Sequence, residues 1–351
     1  MRVASVRCLP FHRWVLDDVE RAARAAGHDV VAIDHAMDGP HGWITGPAGA
    51  PSRAALAASE ADVVLVADFP YRWLREFAPR AVVVSVRHSL AARGNTYAPE
   101  QAHADALASW GDEDERLLVE RAGCEPERLV PVGAPWLDAF ADVGDRRRRA
   151  LRASVRAEYG IDGPTPLVAL APTWNGWTPT ASLVALVRAR PEYAFVLRPH
   201  WAASIRWPGL VPALREAGAR VDDPLRPPAA LLRASDALVT DASGIGLMAL
   251  AEPTCALPVV QVEPPPEALA GHAQVERFGP EWTARAELGP TVAGPDVASL
   301  LAEVDRAVCF PIARTADRLR ARERVLRAET IGGAAERLVD ALPAIVDRGV
   351  R

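Results

Sequence analysis

Short apolar runs alternate with amphipathic, Ala-, Leu- and Arg-rich stretches along this chain, and the series occurs twice with a break between. In the first series strand-like runs fall at 3–7, 30–33, 63–67, 81–86 and 129–132, with helix-like segments such as 16–26 and 113–122 between them. The run AVVVSV at 81–86 has almost no polar alternation, as expected of a parallel strand covered on both faces. Around 144–166 the texture changes to GDRRRRALRASVRAEYGIDGPTP, which we read as a solvated helix and a linker. The alternation restarts with strands at 167–171, 195–198, 219–221, 237–240 and 259–262 and helices at 181–190, 208–217, 229–234 and 245–251. Segments 298–308 and 315–342 carry apolar residues three and four apart and read as helices. Buried strands separated by helices specify a doubly wound parallel α/β sheet, and two series specify two sheets. The length of 351 residues also suits two domains. We expect domains at 1–140 and 141–325, facing across a cleft, with a helical end at 326–351.

All 40 basic residues are arginine. That excludes lysine chemistry: no Schiff base, no pyridoxal anchor, no phosphate-loop lysine. Any anion held by a side-chain cation is held by Arg or His. A net charge of −5 argues against a nucleic-acid partner bound through a basic surface. Cys8, Cys124, Cys255 and Cys309 are scattered without a CxxC pair, so neither zinc nor a disulfide framework is indicated. Scattered thiols fit a reducing compartment. No apolar run approaches the roughly 18 residues of a membrane span. The N-terminus, MRVASVRCLPFHRW, is broken by Arg7 and His12 and reads as a strand and not a secretion signal. A soluble, cytoplasmic protein is expected.

Ligands of doubly wound sheets bind beyond the carboxyl ends of the strands, so polar residues just after a strand carry the most weight. The run 237–240 leads into Asp241-Ala242-Ser243-Gly244 and then a helical pattern. Ser243 reads as an N-cap, Gly244 and Gly246 let a ligand approach the backbone, and the amides at Gly244 and Ile245 would suit a phosphate. A plain capped turn has the same pattern. The run 167–171 ends in Pro172-Thr173-Trp174, a hydroxyl and an indole that suit a base or a cleft wall. The run 195–198 delivers Arg198 and His200, which together suit a leaving diphosphate. The run 81–86 ends in Arg87-His88-Ser89. His88 is the first-domain candidate for a general base, because imidazole titrates near working pH. His12 follows the first strand and joins Arg87 and Ser89 as a candidate cleft residue. Neither these histidines nor His28, His35, His41, His103 and His272 show ligand spacing to another His or Cys, so no metal is expected.

Taken in order, the first-domain histidine, VGAPWLD at 132–138, APTW at 171–174, RPH at 198–200, TDASG at 240–244 and GGAAERLVDAL at 332–342 resemble the CDP-glycerol glycerophosphotransferase family of teichoic-acid synthesis. The resemblance covers residues 80–345. It implies the GT-B architecture: an N-terminal Rossmann-like acceptor domain, a C-terminal Rossmann-like nucleotide-donor domain, and a last helix crossing back to the first. It also implies a transferase of cell-wall polymer synthesis that uses two histidines and neither metal nor cofactor. By position His88 and His200 resemble the two histidines. Thr173, Asp241 and Ser243 match the donor-site hydroxyl and acidic residues. Trp174, Arg198, Gly244 and Ile245 complete the expected donor site, with His12, Arg87 and Ser89 toward the acceptor. A second reading keeps the fold and transfers a glycosyl group from an NDP-sugar such as a UDP-sugar, or epimerises a sugar nucleotide at C2. A third is a non-catalytic nucleotide-binding homologue. The partners implied are a nucleotide-activated donor and a hydroxyl acceptor, which if lipid-linked would bring the protein to a membrane surface.

Overall fold

The computed structural model describes residues 1–34, 50–68, 71–91, 96–174, 176–267 and 277–349. The framework divides into two compact units, one of residues 1–89, 93–138 and 324–351, the other of 90–92 and 139–323. The first unit holds β1 (Arg2–Arg7), α1 (His12–Ala25), β2 (Asp29–Asp34), α2 (Ala50–Ser59), β3 (Val63–Val66), α3 (Tyr71–Phe77), β4 (Val82–Ser85), β5 (Ala106–Ala108), α4 (Asp112–Glu120) and β6 (Leu129–Val130). The second begins with α5 (Gly144–Glu158), β7 (Leu167–Ala171), α6 (Thr180–Ala189), β8 (Ala194–Leu197), α7 (Ala203–Arg206), α8 (Leu210–Ala217) and β9 (Arg220–Val221). It continues through α9 (Ala229–Ala234), β10 (Ala237–Thr240), α10 (Gly244–Met248), β11 (Val259–Glu263), α11 (Pro280–Thr283), α12 (Arg285–Leu288), β12 (Thr291–Ala293) and α13 (Val297–Cys309). The chain leaves it within α14 (Thr315–Val325), and α15 (Ala334–Gly349) belongs to the first unit.

Each unit is a six-stranded sheet whose neighbouring strands all run parallel. The orders are β2-β1-β3-β4-β5-β6 and β12-β11-β10-β7-β8-β9. β3, β4, β7 and β8 are buried along their whole length, because helices cover both faces. In the second unit Val168, Leu170, Val196 and Val239 of the sheet are buried, with Leu183, Leu210, Leu214 and Val304 of the helices. Each such side chain contributes about 1.5–3 kcal/mol when removed from water. The order reverses between β1 and β3 and again between β7 and β10. At such a switch point the crossovers diverge to opposite faces, which opens a crevice at the strands' carboxyl ends.

Two expectations need correcting. β5 and β12 are strands of three residues that the apolar pattern does not reveal. The helix expected over 315–342 is two helices, broken at Gly332 and Gly333, whose φ of 91° and 79° lie in the left-handed region. The Asp138 carboxylate accepts the N–H groups of Gly332 (2.9 Å), Ala334 (3.0 Å) and Ala335 (2.9 Å), capping the start of α15. At Gly133 (φ 91°) an added Cβ would lie 2.6 Å from Thr330 Oγ1. VGAPWLD is thus the seat of the last helix. No helix among the described residues is long and apolar enough to cross a membrane.

Candidate active site

Three side chains meet at the β1–β3 switch point. His12 opens α1 after β1, Asp68 follows β3, and His88 follows β4. Asp68 is fully buried, with Oδ2 3.3 Å from His12 Nε2 and against His88 Nδ1. His12 is also buried, and its Nδ1 accepts the N–H of Cys8 at 3.2 Å. A ring nitrogen that accepts carries no proton, so the His12 proton sits on Nε2, which faces the Asp68 carboxylate at 3.3 Å. Burial drives the His12 pKa below its usual 6.5 and favours the neutral ring. Burial pushes the Asp68 carboxyl up, but the charge of His88 and the hydrogen bonds from both imidazoles outweigh it, and the pKa falls to about 2. The His88 side chain is 28% exposed, and Phe11 packs against it edge-on at 4.8 Å. With Nδ1 on the carboxylate, Nε2 is the nitrogen left to exchange a proton. A buried carboxylate that fixes an imidazole's tautomer in this way makes an oriented general base.

The ligand atoms of His12, Asp68 and His88 all lie within 4.8 Å of one another, a grouping that could hold a metal ion. Sequence spacing gave no hint of this cluster. The hydrogen bonding does not suit a metal, however. A ligating His12 Nε2 would be bare and its Nδ1 a donor, yet Nδ1 already faces the Cys8 N–H.

Arg87 is not the cleft residue expected. Its φ is 51°, and its guanidinium points into the core. Nη1 and Nη2 donate to the Asp114 carboxylate at 2.7 and 2.8 Å, Nη2 also to Ala108 O at 2.6 Å, and the group stacks 3.8 Å over Trp110. Trp136 Nε1–H donates to the Arg87 carbonyl at 3.0 Å. Arg87 therefore anchors the backbone that presents His88. Ser89 is half-buried beside it.

In the second unit the β7–β10 switch point is closed by Asp241. Its Oδ2 accepts Thr173 N (3.0 Å), Thr173 Oγ1 (3.0 Å) and Thr178 Oγ1 (3.1 Å), and both Asp241 and Thr173 are buried. These two expected donor ligands instead brace the loop after β7 to the turn after β10. Ser243 occupies the N-cap position of α10, but its side chain makes no cap bond. Ser243, Gly244 and Ile245 are half-buried and stand just beyond the carboxyl end of β10. Gly246 serves packing, since an added Cβ would lie 3.4 Å from Thr240 Cγ2.

Arg198 is likewise committed inward. It pairs with Asp222 and donates to the carbonyls of Asp223 at 3.1 Å, Pro224 at 3.4 Å and Arg226. It fixes the turn after β9 and is not placed as a phosphate clamp. His200 is half-buried, and its Nδ1 accepts the Ala202 N–H at 3.2 Å, which leaves the proton on Nε2. Its ring lies 6.2 Å from that of Trp174, over which the exposed Arg206 sits at 5.4 Å. Arg206 and Asp68 are the residues the sequence reading passed over. Asp68 stands directly beyond a strand, the position given most weight, but ADFP reads as an ordinary turn. His35, His41 and His272 lie outside the described residues.

No family model and no curated protein matches the chain. Solved structures do. A structure of the wall teichoic acid polymerase TagF soaked with CDPG is 12% identical, covers 100% of this chain and 90% of that one, and has a TM-score of 0.69. The UDP-GlcNAc 2-epimerase from Neisseria meningitidis, bound to UDP-GlcNAc, is 14% identical over 98% of this chain and 100% of that one, with a TM-score of 0.63. A glycosyltransferase from Rickettsia africae ESF-5 is 12% identical over 99% and 98%, with a TM-score of 0.54. These likenesses show the fold, a two-domain α/β chain of the GT-B class.

Proposed function

We propose that the chain is a transferase that moves a nucleotide-activated group to an acceptor hydroxyl, with His88 as the base. The observation that carries this reading is the His88 imidazole held on buried Asp68 at a sheet switch point. His88 Nε2 takes the proton of the hydroxyl as its oxygen attacks the donor. For CDP-glycerol the attack is at phosphorus, the bond to the CMP oxygen breaks, and CMP leaves. The second unit supplies the donor cradle: the Ser243 hydroxyl, the amides of Gly244 and Ile245, and the Nε2–H of His200, with Arg206 as the nearby cation. Trp174 offers a stacking face. Positioned donors in a partly buried site stabilise spreading phosphate charge without a metal. The ordered motifs and the fold likeness to TagF support CDP-glycerol as donor.

A second reading places an NDP-sugar in the same cradle, with attack at the anomeric carbon and NDP leaving. It is favoured by the structures that hold UDP-GlcNAc, or UDP and glucose in Anabaena Alr3699/HepE. A thermal-shift screen of CDP-glycerol, UDP-sugars, CMP, CDP and UDP tests both. A ligand at 100 times its dissociation constant adds about 2.7 kcal/mol. A cytidine-selective shift supports the first reading and a uridine-selective shift the second. If no nucleotide raises the melting temperature, the donor site is refuted.

A further inference from the structure

The donor cradle runs along the carboxyl ends of the second sheet's strands, and the row does not stop at the phosphate. In the strand order β11-β10-β7-β8, Trp174 follows β7, His200 follows β8, and Ser243, Gly244 and Ile245 follow β10. The strand on the other flank, β11, ends in Glu263. The register sets Thr240 against Gln261, so Glu263 stands level with the turn at 241–243. Alternation along the strand puts Gln261 and Glu263 on one face of the sheet. Gln261 Nε2 donates to the carbonyls of Arg285 (2.8 Å) and Gly289 (3.2 Å), so that face is the one α12 covers. A Cβ added at Gly246 of α10 would lie 3.4 Å from Thr240 Cγ2 and 3.9 Å from Leu288 Cδ1. α10 and α12 therefore share this face, and Glu263 stands beside the start of α10.

The direction of the carboxylate is fixed. Arg285, whose side chain is 11% exposed, gives Nη1 to Glu263 Oε2, Nη2 to Val262 O at 3.3 Å and Nε to Gln261 Oε1 at 3.3 Å. Its guanidinium also lies 5.0 Å from the centre of the Trp282 ring. Glu263 is half-buried, and its Oε1 accepts no hydrogen bond among the described residues. A lone carboxylate would repel a neighbouring diphosphate. With Arg285 on one oxygen the pair is neutral as a whole, and the other oxygen stays a strong acceptor for a hydroxyl.

We propose that Glu263 holds a hydroxyl of the group being transferred, which makes that group a polyol such as glycerol or a hexose. The proposal rests on the donor-site reading above. With the base stacked toward Trp174 and the phosphates at the start of α10, the far end of the donor runs toward β11. From β8 to β11 is three strand spacings, about 14 Å, a row that suits an elongate donor. Glu263 is thus a specificity-determining residue and takes no part in the proton transfer.

Calorimetry with CDP-glycerol and UDP-glucose, each set against the propyl ester of the same nucleoside diphosphate, isolates the hydroxyls. The parent chain is expected to bind the complete donor of one base about tenfold more tightly than its propyl ester. Glu263→Ala is expected to remove that preference and Glu263→Gln to reduce it, with the affinity for free CDP or UDP unchanged. Equal affinity of the parent for donor and ester would overturn the proposal, as would a Glu263→Ala chain that keeps the preference. An equal loss for free nucleotide and complete donor would also overturn it and leave Glu263 as a brace for Arg285. A parent chain that binds no nucleotide at all would refute the donor site itself, and this proposal with it.

Discussion

The two histidines carry opposite tautomers, and the difference follows from one neighbour each. The Asp68 carboxylate faces Nδ1–H of His88 and leaves Nε2 as an acceptor; the Ala202 amide occupies Nδ1 of His200 and leaves Nε2 as a donor. The first can remove a proton, and the second can hold a developing negative oxygen. Asp68→Asn keeps the shape and removes the charge. It is expected to cut kcat at least about 100-fold, as read from initial rates. Acid sensitivity has a defined sign here. The folded pKa of Asp68 is depressed to about 2, so its stabilisation is present above about 3.9, the unfolded value, and is lost as pH falls toward 2. The folded pKa of His12 is also lowered, so below its usual 6.5 the unfolded chain takes a proton that the folded chain resists. Stability should fall between pH 7 and 5, by at most about 1.4 kcal/mol per unit for this one group. Urea midpoints at pH 7 and 5 should differ less in His12→Gln than in the parent; equal slopes would remove His12 from the account.

At the scale of elements, what was legible depended on whether local pattern or tertiary pairing did the work. β3 and β4 are covered on both faces, so their apolar runs announce them. β5 (Ala-Leu-Ala) and β12 (Thr-Val-Ala) have too few residues to show a pattern, and only their sheet neighbours make them strands. Motif position was readable, but side-chain direction was not. Arg87 and Arg198 stand just past strands as a ligand-binding cation should, and both turn inward to carboxylates, Asp114 and Asp222, that sequence does not connect to them. Asp241 and Asp138 are cross-braces of the same kind. Asp241→Ala strips three donors of their acceptor and should lower stability by about 1–3 kcal/mol in urea titration. Asp138→Ala removes the cap of α15 and should lower it by about 0.5–2 kcal/mol. A change below a few tenths in either would show that the brace is ornamental.

Over the whole molecule, two sheets of the same parallel design each present a switch point, one bearing a base and the other a helix start with amide donors. A chain without lysine meets its anions with arginine, imidazole and backbone N–H groups. If those groups suffice, turnover should be unchanged by EDTA and unaided by added magnesium, manganese or zinc. A rate that collapses on chelation and returns with one ion would recast His12, Asp68 and His88 as metal ligands. Release of free nucleotide from CDP-glycerol and from UDP-sugars, followed for the parent chain and for His88→Ala, weighs the base assignment most directly. The expected result is that one donor class is consumed and that the substitution slows it at least about 100-fold while the same nucleotide still raises the melting temperature. Equal rates in the two proteins would contradict it.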